Sequence, residues 1–181
     1  MKGLIVLVNG FEDVEALATI DVLRRSGIQV DTTSLDNKDI ITQSNNKITV
    51  DYSLKELNIP EYDFLILPGG KAVFNILDKD ATVDYLVDEF YIQGKLICAI
   101  CAAPRLIAKR GYFKNLKFTI FPGCLDEEVL GKQVNKGVVV EKKFITAKSM
   151  YYSIEFALEI IKKLQGKNQM QIIKKQIMGK K

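Results

Sequence analysis

The sequence contains no histidine. That absence removes the imidazole base on which Ser-His and Cys-His catalytic pairs depend, and with it histidine-rich metal sites. Cysteine is scarce: Cys98, Cys101 and Cys124, an odd number with no paired framework. Such usage fits a reducing compartment, so a cytoplasmic protein is expected. Long apolar runs are missing too. Near the N-terminus only residues 4–8 are continuously apolar, too short for a signal-peptide core or a membrane span. No membrane partner is expected. A phosphate loop is lacking after the first apolar run, where "NGFEDVE" would repel phosphate, which excludes a flavin-mononucleotide carrier. Repeats, low-complexity segments and linkers are also absent, so residues 1–181 are expected to form one domain.

Basic charge is confined to one end. Residues 162–181 carry seven lysines and no acid; subtracting that +7 from the net +4 leaves −3 for the remaining 161 residues. The body is therefore no nucleic-acid binder. In the tail, lysines alternate with apolar residues in "MQIIKKQIMGKK", which predicts a basic helix or tail over 168–181 with a solvated face.

What is present alternates between strand-like and helix-like stretches, the signature of a parallel sheet covered by helices. "GLIVLV", "IQVDTTSL", "YDFLILPGG" and "KLICAI" read as strands buried on both faces. "FEDVEALATIDVLRRSG" reads as a helix whose apolar residues Val14, Leu17, Ala18 and Val22 face the core, stopped by Gly27. Further helices are expected in "ATVDYLVDEFYIQG", "AAPRLIAKRG" and "SMYYSIEFALEIIKKLQG". Residues 39–52 read as a hairpin turning at Ser44, Asn45 and Asn46, and "GVVVEKKFITA" as a second hairpin.

Ligands of open parallel sheets bind beyond the carboxyl ends of the strands. Three such ends carry unusual residues: "NGFEDVE", "LPGGK" and "CAICAAP". In "AICAA" a cysteine takes the central place of a nucleophile elbow, with alanines where the sharp turn demands small side chains. Cys101 would then open a helix, whose N–H groups lower a thiol pKa from about 8.5; the alternative is a small buried core residue. Cys98 and Cys101 spell C-x-x-C. Cys98, however, lies inside the strand, and three extended residues span about 10 Å, beyond the ~7 Å limit of a disulfide. Without histidine, a thiol needs backbone N–H groups or a protonated carboxyl beside it. Glu15 is a candidate for that acid, or else it complements the helix dipole as Glu12 and Asp13 do. "PGG" offers backbone N–H groups for half an oxyanion hole, the Ala102 N–H supplying the other half; it is equally a plain tight turn. Cys124 sits in a loop, "FPGCLDEE".

In this order and spacing, "GFEDVEALATIDVLRRSGIQV", "YDFLILPGG", "GKLICAICAAPRLIA" and "SIEFALEII" resemble the ThiJ/PfpI family over nearly the whole chain. The resemblance implies a flavodoxin-like α/β sandwich, a mostly parallel sheet with helices on both faces and a nucleophile-elbow cysteine, in a homodimer. It assigns Cys101 as a reactive, oxidation-prone nucleophile, a thiolate at neutral pH, and Glu15 as the protonated acid that bonds to it. Gly69, Gly70 and Ala102 supply the backbone that binds an oxyanion. Two departures stand out. Phe121 takes the place where many members have histidine, and "SMYYS" replaces a "GPG" turn, which predicts a bulkier rim; the Tyr151 and Tyr152 hydroxyls are candidates for polar rim groups, with core packing of one ring the favoured alternative.

The implied function is handling of reactive carbonyls: a glyoxalase III-like or deglycase-like conversion of methylglyoxal, or its adducts on glycated protein, to a hydroxy acid, without a cofactor or metal. The alternative is a redox sensor or oxidative-stress chaperone without turnover, working through oxidation of Cys101.

Overall fold

The first apolar run becomes β1 (Lys2–Val6), with every residue from Gly3 on buried. The computed structural model describes residues 1–125 and 129–180; the last three residues of "FPGCLDEE" and Lys181 lie outside the described residues. After β1 come α1 (Asp13–Arg25), β2 (Gln29–Ser34), the hairpin strands β3 (Asp39–Ile41) and β4 (Lys47–Thr49), and the short β5 (Tyr52–Ser53). β6 (Phe64–Leu67), a single turn α2 (Ala72–Asn75) and α3 (Ala81–Ile92) lead to β7 (Leu96–Ile100) and α4 (Pro104–Ala108). The small pair β8 (Lys117–Phe118) and β9 (Lys132–Gln133) precedes the hairpin β10 (Val138–Glu141) and β11 (Phe144–Ala147). α5 (Ser153–Gln165) and α6 (Lys167–Ile177) follow.

Seven strands form the central sheet in the order β10-β11-β7-β6-β1-β2-β5. All neighbours run parallel except β10 with β11. β6 and β7 are buried at every position, as expected for strands covered on both faces. α1, α5 and α6 pack together as one covering layer, and α3 with α4 packs against β6 and β7 as another. This is the flavodoxin-like arrangement expected from the sequence.

α1 departs from expectation in its rotation. Val14 and Leu17 are 42% and 40% exposed, while Glu15, Ala16, Thr19, Ile20, Val22 and Leu23 face inward. The apolar pattern misleads because a carboxylate and a hydroxyl occupy two of the inward positions, the Thr19 hydroxyl donating to the Glu15 carbonyl at 2.6 Å. The basic tail is helical as expected. Gly166, at φ +90°, ends α5, and α6 lays Met170 and Ile173 into the core while Lys174 and Lys175 stay exposed.

From β1 the chain passes through α1 to β2 on one side, and β6 then takes the other side. The strand order therefore reverses at the carboxyl ends of β1 and β6, the place where open α/β sheets bind ligands.

Candidate active site

Two loops meet at that reversal. After β1, Gly10 N–H donates to the Ile41 carbonyl and the Asn9 side chain accepts from Ile41 N–H, both at 2.8 Å. Asp13 accepts from Ser44 N–H and from the Asn46 amide, so the β3–β4 hairpin is clasped onto the loop. Glu12 caps α1, its carboxylate accepting from Glu15 N–H at 2.8 Å. That leaves Glu15, one turn in, as the acid turned toward the sheet, 1% exposed. The loop after β6 lies directly against it. Gly70 has φ +93°, and a Cβ there would sit 2.6 Å from Glu12 N and from the Gly10 carbonyl oxygen. Only glycine lets the two backbones approach so closely.

The third strand end supplies the thiol. Cys101 has φ +62°, a left-handed conformation that is strained for a residue with a side chain. The turn is locked by its neighbours: Cys101 N–H donates to the Ala147 carbonyl at 2.9 Å, Ala103 N–H to Ile100 at 3.1 Å, and the Cys101 carbonyl accepts from Phe121 N–H at 2.9 Å. Ala99 and Ala103 are fully buried, which is why the elbow needs small residues there. Cys98 is fully buried within β7, its thiol pushed far up by burial, so the C-x-x-C pair forms no dithiol.

The three ends converge on one pair of groups. The Glu15 carboxyl stands beside Cys101 across the face of Gly69, and its Oε2 accepts from Gly69 N–H at 2.8 Å. Burial pushes Glu15 up to about 7, against the pull of Cys101 and of Gly69 N–H, with the charge of Glu12 adding to the rise. The surroundings of the thiol push it upward as well. Burial, then the charge and hydrogen bond of Glu15, raise it, and only the Ala102 N–H pulls it down. The helix offers little help, because α4 has five residues, starts three positions after Cys101 and opens on Pro104, which has no N–H. Above about pH 7 the pair therefore holds one proton between two groups. A thiolate forms when that proton resides on Glu15, where repulsion vanishes and the carboxyl can donate to sulfur.

Gly69 requires a correction. Expected among the oxyanion donors, its N–H is committed to Glu15. Gly70 and Ala102 line the adjoining cavity of about 300 Å³ with Cys101 and Glu15. Its walls include Phe74, Phe121 and Met150, which makes it largely apolar, and Gln43 from the hairpin spans its edge. Gln43 N–H donates to the Phe11 carbonyl and its side-chain oxygen accepts from Lys71 N–H, tying the two loops together. Phe121, in the histidine's place, is 44% exposed. In "SMYYS" it is Ser149 and Met150 that reach the cavity; Tyr151 is 84% exposed and Tyr152 packs over Gly137. Gln43, Phe74 and Cys124 were not among the expected site residues, and the rim expected of "SMYYS" is made by Ser149 and Met150. A larger groove of about 500 Å³ near Arg24, Asp31 and Asp51 holds no nucleophile, and Arg24 with Asp51 and Lys2 with Asp31 are already ion-paired. Among the described residues no three His, Cys, Asp or Glu side chains are placed to hold a metal ion, and no helix is long and apolar enough to cross a membrane.

Residues 1–163 match the model of the DJ-1/PfpI family. The chain belongs to the DJ-1/PfpI family. Protein dj-1beta of Drosophila melanogaster is 32% identical to it over 180 residues, 98% of this chain and 96% of that protein. Deglycase PH1704 of Pyrococcus horikoshii is 27% identical over 150 residues, 82% of this chain and 90% of the relative. The solved structure of oxidized DJ-1 from Toxoplasma gondii superposes with a TM-score of 0.90 at 28% identity, covering 98% of this chain and 97% of that one. Within this DJ-1/PfpI chain, the matched region takes in all three strand ends that build the site.

Proposed function

We propose that this protein is a cysteine-dependent enzyme acting on reactive carbonyls, with a deglycase-type role in stress protection. The finer reading is that it converts an α-oxoaldehyde such as methylglyoxal, or its early adducts on protein side chains, to a hydroxy acid. The observation that carries the proposal is the buried Glu15 carboxyl standing beside the half-buried Cys101 at the wall of an apolar cavity. Kinship with Deglycase PH1704 supports the coarser role.

The chemistry follows from the single proton of the pair. As the Cys101 sulfur attacks the aldehyde carbon, the carbonyl π electrons move to oxygen, and Glu15 returns its proton to that oxygen. The product is a hemithioacetal. Gly70 and Ala102 N–H groups steady the oxygen while it is charged. The Glu15 carboxylate, raised into the range where a general base works at neutral pH, next takes the proton from the former aldehyde carbon. It delivers that proton to the neighbouring carbon while the hydroxyl proton on the first carbon passes to the neighbouring oxygen, so that the first carbon becomes the carbonyl of a thioester and the second carries the hydroxyl of the hydroxy acid. Water hydrolyses the thioester and restores the thiol. The sum is one dicarbonyl plus one water giving one hydroxy acid, with no external oxidant or reductant. The scheme needs no imidazole, consistent with Phe121 in the histidine's place.

We further place the protein in the cytoplasm as a single domain and pair it as a homodimer. The exposed Val14 and Leu17 on α1 offer an apolar strip that a second copy would cover.

Product analysis tests the proposal. Methylglyoxal incubated with the protein in deuterated water should yield lactate. A Cys101→Ser variant should yield none above the uncatalysed background. Equal lactate from both proteins would sink the reading.

A further inference from the structure

A second thiol lines the same cavity as Cys101. Cys124 sits on a turn fastened to the backbone of the nucleophile itself: Phe121 N–H donates to the Cys101 carbonyl at 2.9 Å, and Cys124 N–H closes back on the Phe121 carbonyl at 3.2 Å. Arg105 holds the turn from the other side. Its Nη1 donates to the Cys124 carbonyl at 3.3 Å and its Nε to Asp78 at 3.1 Å, an ion pair that is itself mostly buried. Both thiols are half-buried, within reach of a small oxidant, and each lies within the electrostatic reach of the other. The third cysteine offers no such partner, being sealed inside β7.

The geometry points to Cys124 as the resolving thiol of this pocket, so that hydroperoxide oxidation of Cys101 ends in a Cys101–Cys124 disulfide. The inference rests on the reading of Cys101 as the reactive nucleophile. In the first step the Cys101 sulfur attacks a peroxide oxygen. The O–O bond breaks, an S–O bond forms, and the departing hydroxide takes the thiol proton as water. Cys101 is then a sulfenic acid, oxidised by two electrons while the peroxide is reduced. In the second step the Cys124 sulfur displaces the hydroxyl. The S–O bond breaks, the S–S bond forms, and a second water leaves with the Cys124 proton. Glu15, which carries the shared proton beside Cys101, is placed to supply it to the first leaving oxygen and then to relay the Cys124 proton to the second.

The disulfide requires Cα atoms within about 7 Å. Among the described residues the Cys124 turn is tied down by hydrogen bonds rather than by sheet pairing, and forming the disulfide draws it in over the cavity. Closure has two consequences: Cys101 is diverted from the irreversible sulfinate, and the carbonyl site is shut until a thiol reductant reopens it.

The experiment treats the full-length protein with graded hydrogen peroxide, alkylates the remaining thiols and maps peptides without reduction. The wild type should yield a peptide pair linked through Cys101 and Cys124, within one chain, and dithiothreitol should release it. Cys124→Ser and Cys124→Ala should each accumulate several-fold more Cys101 sulfinate than the wild type at the same dose. Equal sulfinate in all three proteins, with Cys124 alkylated in the wild type, would overturn the inference, as would a link formed only between chains. Methylglyoxal turnover, measured on the same untreated samples, separates the two claims. Turnover without the disulfide overturns this inference alone, whereas a Cys101 inert to both reagents overturns the carbonyl reading as well.

Discussion

Gly69 and Glu15 meet through a buried hydrogen bond of 2.8 Å, from the glycine N–H to Oε2 of the acid. A Cβ on Gly69 would lie 2.7 Å from that Oε2 and 2.8 Å from the Cβ of Cys101. The glycine is thus the spacer that sets how near the acid stands to the thiol.

Gly69→Ala should push the acid and thiol apart without disturbing the distant core. A displacement of about 1 Å costs on the order of 10²-fold in rate. We expect a loss of that size in kcat/KM for methylglyoxal, with the protein still folded by circular dichroism. Unchanged kinetics would show that the spacing is not critical.

Glu15 should leave a mark on stability. Its pKa rises from the ordinary 4.5 to about 7 in the folded protein, so between those values the folded state binds more protons than the unfolded state. Stability attributable to this group is therefore fully present below about pH 4.5, declines as pH rises, and is lost above about pH 7. The span corresponds to about 3 kcal/mol. Denaturant unfolding of the wild type and of Glu15→Gln across pH 4 to 8 should show the variant gaining on the wild type as pH rises. A difference that does not change with pH would contradict the raised pKa.

The left-handed turn at Cys101 predicts a trade between stability and chemistry. Both Cys101→Ala and Cys101→Gly remove the sulfur, but only glycine accepts φ +62° without strain. The glycine variant should be more stable than the alanine variant by about 1 kcal/mol, measured by thermal or denaturant unfolding. The reverse order would mean that the turn stores no strain.

Much of this site could be read from the chain. "AICAA" announces the elbow because only small residues fit around it, whereas the strand-end rule leaves Glu15 open between a site acid and a helix-dipole acid, and only the family resemblance assigns it beside the thiol. Less legible was anything contributed across the fold. Cys124, Gln43 and Phe74 come from separate loops and a short helix, and no local pattern marks them as neighbours. The commitment of Gly69 N–H to Glu15 was hidden for the same reason, since a sequence does not say which of two adjacent donors meets the acid. The length of α4 could not be read either, and a five-residue helix starting on proline lends the thiol little of the field a long helix would. The rotation of α1 was obscured by function itself: Glu15 occupies an inward position that an apolar residue would have made obvious.

The account stands or falls on whether Cys101 and Glu15 act as one unit on a dicarbonyl. The most direct measurement is kcat/KM for conversion of methylglyoxal to lactate by the wild type, Cys101→Ser, Glu15→Gln and the double variant. Groups that work as a unit are strongly non-additive. Each single substitution should abolish at least about 10²-fold of the rate, and the double variant should be no worse than either. Wild-type turnover no faster than that of the variants, or losses that simply multiply, would contradict it.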